Sequence, residues 1–406
     1  MLSKFNYNLK NVSKFLALLL LCGATLHAQR SIGPWDKAEL FAAPKHYPSD
    51  QFNVPGVQSI LYEGLNYKGK PSRFYAYYGV PEGQPPAAGW PGVVLVHGGG
   101  ATASANWVKQ WNEHGYAAIS MDLEGHLPEG RQGGRPSHEW SGPHRRSSFE
   151  ENPINQGQPV NEHWFYHAIG GVVRSHSLLR SFPMIDKDRI GIEGFSWGGV
   201  LTSVSLGVDS RFKFGITHTG CGFLHEGDSY LGDSLRSRSP QKLKESLALY
   251  EPSTYLPQVS VPVLRTTSPT DSHFPLDCEQ KSALATQAPF YLWIKVGWGH
   301  AIRPKIEPFV FADSVLKGGP RLPECGELVQ QGNTWSVQFT SPFALKEAEL
   351  CYTTDTGLSK DRTWHAIPAT LVSGRASAEL PEDTTVFFFN VSDAGGRMAS
   401  SLSHEL

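Results

Sequence analysis

The chain has 406 residues, 40% of them hydrophobic and 18% charged, which excludes a disordered or fibrous polymer and leaves room for one large domain and a smaller one. Its formal charge is −2 and no Lys/Arg block stands out, which argues against a nucleic-acid surface.

Lys4, Lys10 and Lys14 precede "FLALLLLCGATLHA". A basic start, a short apolar run and small residues read as a secretory signal peptide over 1–28, cleaved after Ala28. The run is too short to span a bilayer. An alternative is a lipid anchor at Cys22, although Leu21 fits such a site poorly. Loss of the three lysines takes the formal charge from −2 to −5. Cys221, Cys278, Cys325 and Cys351 then remain, enough for disulfides but without a CxxC or zinc-like spacing.

Residues 29–57 are Pro-rich and read as irregular. "VQSILYEGLNYKGKPSRFYAYYGVP" reads as a hairpin. "GVVLVHGGG" is a continuous apolar run ending in glycines, as in a strand covered on both faces. "YAAISMDLEG", "RIGIEGFSWGG", "FKFGITHTGCG", "VPVLRTTSPTD" and "PFYLWIKVGWGH" repeat that pattern. "NEHWFYHAIGGVVRSHSLLRSF" and "SPQKLKESLALY" have helical spacing, the second opening on Ser-Pro. Residues 127–160 form a long Gly/Pro/Arg-rich loop, a candidate wall for a substrate. The alternation implies an α/β domain over 58–318, a mostly parallel sheet with helices on both faces. "GGPRLPECGE" reads as a linker. Short, evenly spaced strands with turn residues then predict a small β-sandwich over 323–406.

In such sheets reactive residues gather at the carboxyl ends of strands. "GFSWGG" is a G-x-S-x-G between a strand and a helix. A turn that sharp strains the serine backbone and leaves no space for flanking side chains, which Gly194 and Gly198 omit. Gly199 adds room for the helix. The Ser196 hydroxyl is thereby lifted above the sheet, and the Trp197 N–H stands at the helix start, where it can hold an oxyanion. A serine nucleophile needs a base. His300 ends the last core strand and is the choice; His273 stands too near the candidate acid, and His365 and His404 lie in the sandwich. Asp271 directly follows the preceding strand and is preferred to Asp277 as the acid that orients His300. In "VHGGG" either Gly99 or Gly100 supplies the second oxyanion N–H.

His163 and His167 are four apart on a helix, but Trp164 stands where a zinc-protease motif needs Glu. They read as packing or pocket-lining residues, and no metal site or cofactor is implied. Trp107, Trp111 and Trp140 give a weak hint of sugar stacking.

Together these residues resemble the α/β-hydrolase superfamily, and within it the branch of dienelactone hydrolases and acetylxylan or cephalosporin-C deacetylating esterases. "VLVHGGGATASANWVKQWNEHGYAAISMDLEG", "RIGIEGFSWGGVLTSVSLG" and "TDSHFPLD…GWGHAIRP" carry the likeness. It implies a Ser196–Asp271–His300 triad. Dienelactone hydrolases proper use Cys as nucleophile; Ser stands here, which favours ester hydrolysis. The 323–406 segment resembles an accessory immunoglobulin-like domain. The resulting expectation is a secreted or periplasmic serine carboxylic-ester hydrolase acting on a small-molecule or carbohydrate ester, with acetylated polysaccharide as the leading substrate. The rivals are a serine peptidase of prolyl-oligopeptidase type and a non-catalytic binding protein on the same fold.

Overall fold

Apolar runs that alternate with helical patterns can bury both faces of a sheet, and the computed structural model realises this. It describes residues 32–130, 134–144, 157–301 and 304–406. The expected signal peptide over 1–28 and the alternative lipid site at Cys22 lie outside the described residues.

The large sheet runs β1 (His46–Pro48), β2 (Gln58–Glu63), β3 (Arg73–Gly79), β4 (Trp90–Val96), β5 (Ala117–Met121), β6 (Ile185–Phe195), β7 (Gly215–His218), β8 (Val263–Thr267) and β9 (Phe290–Ile294) along the chain. Its spatial order is β1-β2-β3-β5-β4-β6-β7-β8-β9. From β5 to β9 every pairing is parallel, and β1, β2 and β3 add an antiparallel flank. The expected hairpin is β2–β3, with Gln58 opposite Tyr78.

The helices are α1 (Lys37–Phe41), α2 (Ala105–Glu113), α3 (Trp164–Leu179), α4 (Trp197–Val208), α5 (Tyr230–Arg236), α6 (Pro240–Tyr250), α7 (Leu276–Leu284) and α8 (Glu307–Leu316). The residue alternation of β4 shows why both faces are covered. Val94 and Val96 pack with Ile169 and Val172 of α3 and Val200 and Val204 of α4. Val93 and Leu95 pack with Val108 and Trp111 of α2 and Phe311 of α8. Burying each such side chain is worth about 1.5–3 kcal/mol.

The chain leaves β4 through α2 to reach β5 on one side. It then crosses through α3 to β6 on the other side. The strand order therefore reverses at β4, and a crevice opens between the carboxyl ends of β4 and β6, where such folds bind ligands.

Residues 29–57, expected to be irregular, hold α1 and β1 where they are described. Asp36 caps α1 by accepting from the Ala38 N–H, and His46 pairs with Tyr62 at the sheet edge. Both elements are too short to leave a periodic pattern.

Beyond α8 the chain is all strand: β10 (Glu324–Gln331), β11 (Thr334–Thr340), β12 (Leu345–Thr353), β13 (His365–Pro368), β14 (Thr370–Val372), β15 (Arg375–Glu379), β16 (Val386–Asp393), β17 (Met398–Ser400) and β18 (His404–Glu405). One sheet is β10-β11-β15-β14; the other is β13-β12-β16-β17, with β18 on β16. Their facing sides bury Trp335, Val337 and Phe339 against Leu350, Phe387, Phe389 and Val391, which makes a sandwich. β10 begins inside the expected linker. Among the described residues, Cys221, Cys278, Cys325 and Cys351 are all free thiols, so none of the disulfides the composition allowed joins them.

Candidate active site

Ser196 occupies the bend between β6 and α4 with φ 56° and ψ −120°. A non-glycine residue in that region carries strain of about 1–3 kcal/mol. The surroundings impose it. The Ser196 N–H donates to the His218 carbonyl at 2.9 Å, while the Ser196 carbonyl accepts from Gly199 and Val200. The flanking glycines are required by close approach. A Cβ on Gly194 would lie 2.2 Å from the Gly198 carbonyl oxygen, and a Cβ on Gly198 would lie 2.0 Å from that of Val96. A Cβ on Gly199 would meet the Thr219 carbonyl oxygen at 2.0 Å.

Three strand ends converge on the serine. His300, in the loop after β9, places Nε2 2.9 Å from Ser196 Oγ. Its Nδ1 lies 2.9 Å from Asp271 Oδ2 and 3.1 Å from Oδ1. A carboxylate only accepts, so Nδ1 carries the proton and Nε2 presents its lone pair to the serine hydroxyl. Asp271 is 1% exposed, and its Oδ1 also accepts from the backbone N–H groups of His273 and Phe274. The Gly299 N–H donates to Ser268 Oγ at 3.1 Å, which ties the histidine loop to the acid loop. Asp277 stands elsewhere, exposed on α7 and paired with Lys281.

His273 lies flat on the His300 ring, with centroids 4.2 Å apart. Burial, then the neighbouring His300, lowers its pKa from the ordinary value. Asp271, His273 and His300 together bring ligand-type atoms within 4.8 Å of one another. Both nitrogens of His300 are already engaged in the relay, so a cation there would compete with Ser196 and Asp271.

The glycine strand end is braced from the side. His97 donates from Nδ1 to the Gly98 carbonyl and accepts at Nε2 from the Leu123 N–H, 2.9 Å away. The Gly100 N–H donates to Glu124 Oε1 at 2.7 Å. That corrects the expectation for Gly100: its donor is committed to a carboxylate. Gly99, which lines the cleft beside Ser196 and Trp197, is the candidate that remains on this strand.

Behind the elbow lies a polar network. Glu193 Oε2 accepts from the indole N–H groups of Trp107 (3.0 Å) and Trp111 (2.7 Å). Glu193 Oε1 accepts from His218 Nε2 at 2.6 Å, and His218 Nδ1 accepts from Thr266 Oγ1. This carboxylate stiffens β6 three residues before Ser196. Its signal in the sequence is a lone acid inside the apolar run "RIGIEGF". Trp111 is fully buried in this network, and Trp140 stacks under the Arg73 guanidinium; neither lines the cleft. Only Trp107 lines the cleft among the three.

His163 and His167 do not converge on a common point. His163 hydrogen-bonds Tyr250 and the Gln158 carbonyl, and His167 donates to the Asn161 carbonyl. They pack the helix, as expected.

The cleft over Ser196 has a volume of about 700 Å³. Trp107, Asn106 and Gln110 of α2 form one wall, and Tyr230 and His273 another. Arg135, from the long loop after β5, also lines the cleft.

Two family models match the chain. The acetyl xylan esterase family model covers residues 40–219, and the prolyl oligopeptidase family model covers 163–303. No curated protein matches. Among solved structures, an acetyl xylan esterase from Paenibacillus sp. R4 superposes with a TM-score of 0.56 at 17% identity, over 69% of this chain and 92% of that one. Acetyl xylan esterase 1 from Thermoanaerobacterium sp. JW/SL YS485 gives 0.51 at 15% identity, over 70% and 94%. At such identities the likeness is one of fold. The two solved structures share the α/β-hydrolase fold with this chain, both family models point to a serine hydrolase, and the acetyl xylan esterase model bears out the resemblance to that branch.

Proposed function

We propose that this chain hydrolyses acetyl esters of a carbohydrate through a Ser196–His300–Asp271 triad, outside the cytoplasm after loss of 1–28. The observation that supports this most is the continuous relay of 2.9 Å contacts from Ser196 Oγ through His300 to Asp271 Oδ2. Ser196 Oγ attacks the acyl carbon while its proton passes to His300 Nε2. The buried Asp271 carboxylate stabilises the resulting imidazolium. The carbonyl oxygen becomes an oxyanion held by the N–H groups of Trp197 and Gly99. Collapse breaks the ester C–O bond, and the departing alkoxide takes the proton from His300. Water then attacks the acyl carbon and gives a proton to the same nitrogen; the acyl–Oγ bond breaks, Ser196 Oγ takes that proton back from His300, and acetate leaves. An acetyl acyl group and a polysaccharide alcohol are favoured by the acetyl xylan esterase model and by the open, polar-walled cleft.

The prolyl oligopeptidase model, matching 163–303, favours a second reading: the same triad cleaving a peptide bond. The two separate in one assay. Initial rates on 4-nitrophenyl acetate and acetylated xylo-oligosaccharides are compared with those on proline-containing peptide anilides. The proposal expects turnover of the esters and none of the anilides. Anilide turnover without release of sugar-bound acetate would reverse the assignment.

A further inference from the structure

The cleft lining contains a cation, Arg135, and no Asp or Glu among the described residues. Arg135 lines the same cleft as Ser196 and His300. Its Nη1 donates to the Gly100 carbonyl at 2.6 Å. Gly100 is itself held by Glu124 through its N–H, so the guanidinium is anchored at the glycine-strand end of the cleft, beside Gly99. His273 and Tyr230, whose rings meet at 4.8 Å, line the same cleft.

Two features distinguish Arg135 from a simple strap. Its Nε is a buried atom with no hydrogen-bond partner among the described residues. No Asp or Glu lines the cleft among the described residues either. A guanidinium offers five donors in a planar fork, and a strap to one carbonyl uses one of them. Nε is shut off from the cleft, so an anion there would meet the terminal Nη groups, of which only Nη1 has a partner among the contacts above. The exposed amides of Asn106 and Gln110, one helical turn apart on α2, line the same space and suit sugar hydroxyls.

We infer that Arg135 is an anion-recognition residue, and that the ester cleaved at Ser196 is carried by a saccharide bearing a carboxylate or a sulfate. The inference rests on the esterase reading above and narrows its substrate class. A planar carboxylate takes two parallel N–H donors from the fork, and a sulfate offers the same acceptors on a tetrahedral frame.

The test compares kcat/KM for three acetylated oligosaccharides on the same backbone: neutral, uronate-bearing and sulfate-bearing. Wild type is expected to favour one anionic form over the neutral one by roughly ten-fold or more. Which form wins identifies the anion. The ratio should fall toward one in Arg135→Gln and as salt is raised. Arg135→Lys keeps a charge and a donor for Gly100 but loses the fork, so an intermediate ratio is expected. A wild-type preference for the neutral ester, or a ratio that Arg135→Gln leaves intact, overturns the inference. If the variants do not fold, inhibition of wild-type 4-nitrophenyl acetate turnover by unacetylated uronate, sulfate and neutral oligosaccharides decides it: equal inhibition by all three, or none, overturns it. If wild type turns over no ester at all, the esterase reading fails. Calorimetric binding of the same unacetylated oligosaccharides then tests Arg135 separately, with selective binding of an anionic one in support and unselective or absent binding against.

Discussion

Ser196 is held in a backbone conformation that no turn would require of a serine, and its hydroxyl meets a histidine whose tautomer a buried carboxylate fixes. Ser196→Ala should therefore reduce ester turnover by roughly 10⁴-fold or more while leaving the thermal transition in place. Side-by-side kinetics of Asp271→Asn and Asp277→Asn should separate the two acids: a loss on the order of 10⁴-fold for the first, and little change for the second, which is exposed beside Lys281. Glu193 is a residue of support. Glu193→Ala strands two indole N–H groups and the His218 ring in a dry site, and should cost about 3–5 kcal/mol in urea denaturation. Glu279 makes a pH-dependent contribution. Burial raises its pKa to about 7, although Arg265 stands 3.5 Å away and opposes the shift. The folded chain thus keeps a proton that the unfolded chain gives up from about pH 4.5 upward. The stability it contributes is present in acid and is lost as pH rises through about 7. Relative to wild type, Glu279→Gln should gain stability between pH 5 and pH 8, read from urea midpoints; a difference that does not vary with pH would contradict this. The convergence of Ser196, Asp271 and His300 was legible because each follows its own strand in chain order. The choice between Gly99 and Gly100 was not, because it depends on Glu124, a carboxylate 24 positions from Gly100.

At the scale of elements, the strand β6, the bend and the helix α4 act as one device. Gly194, Gly198 and Gly199 let α4 approach the β4 and β7 ends so closely that carbonyl oxygens occupy the places of side chains. Gly198→Ala must push the helix off Val96, and should lower both urea stability, by about 3 kcal/mol, and ester turnover. Retention of full activity would show that the helix start does not need that approach. These glycines were readable because the motif and the flanking strand and helix patterns agree. β10 was not readable: most of its side chains are exposed, so "CGELVQQ" shows no apolar alternation. The long loop after β5 has no periodicity, and the contact of Arg135 with the glycine strand is visible only in three dimensions.

For the whole molecule, the sandwich covers an edge that the large sheet would otherwise leave open. β16 alternates: Phe387, Phe389 and Val391 fill the sandwich, while Phe388 packs on Leu276, Leu292 and Ile294 of the α/β unit. The exposed ladder of β9 is satisfied there too. The Ile294 N–H donates to Ser400 Oγ, and its carbonyl accepts from Asn390 Nδ2. An unpaired edge with apolar neighbours is a template for aggregation. A chain ending at residue 322 should accordingly associate more than the full chain in light scattering; a truncated chain no more associated than the full one would remove this role. The Ser400 and Asn390 contacts fall on β9, whose following loop carries His300. The central claim is that Ser196 carries the acyl group. Rapid quenching of the enzyme with 4-nitrophenyl acetate, followed by intact and peptide mass spectrometry, tests it most directly. The account predicts one acetyl group per chain, on the peptide containing Ser196 and absent from Ser196→Ala. Steady turnover with the acetyl group on another residue, or undiminished turnover by Ser196→Ala, would contradict it.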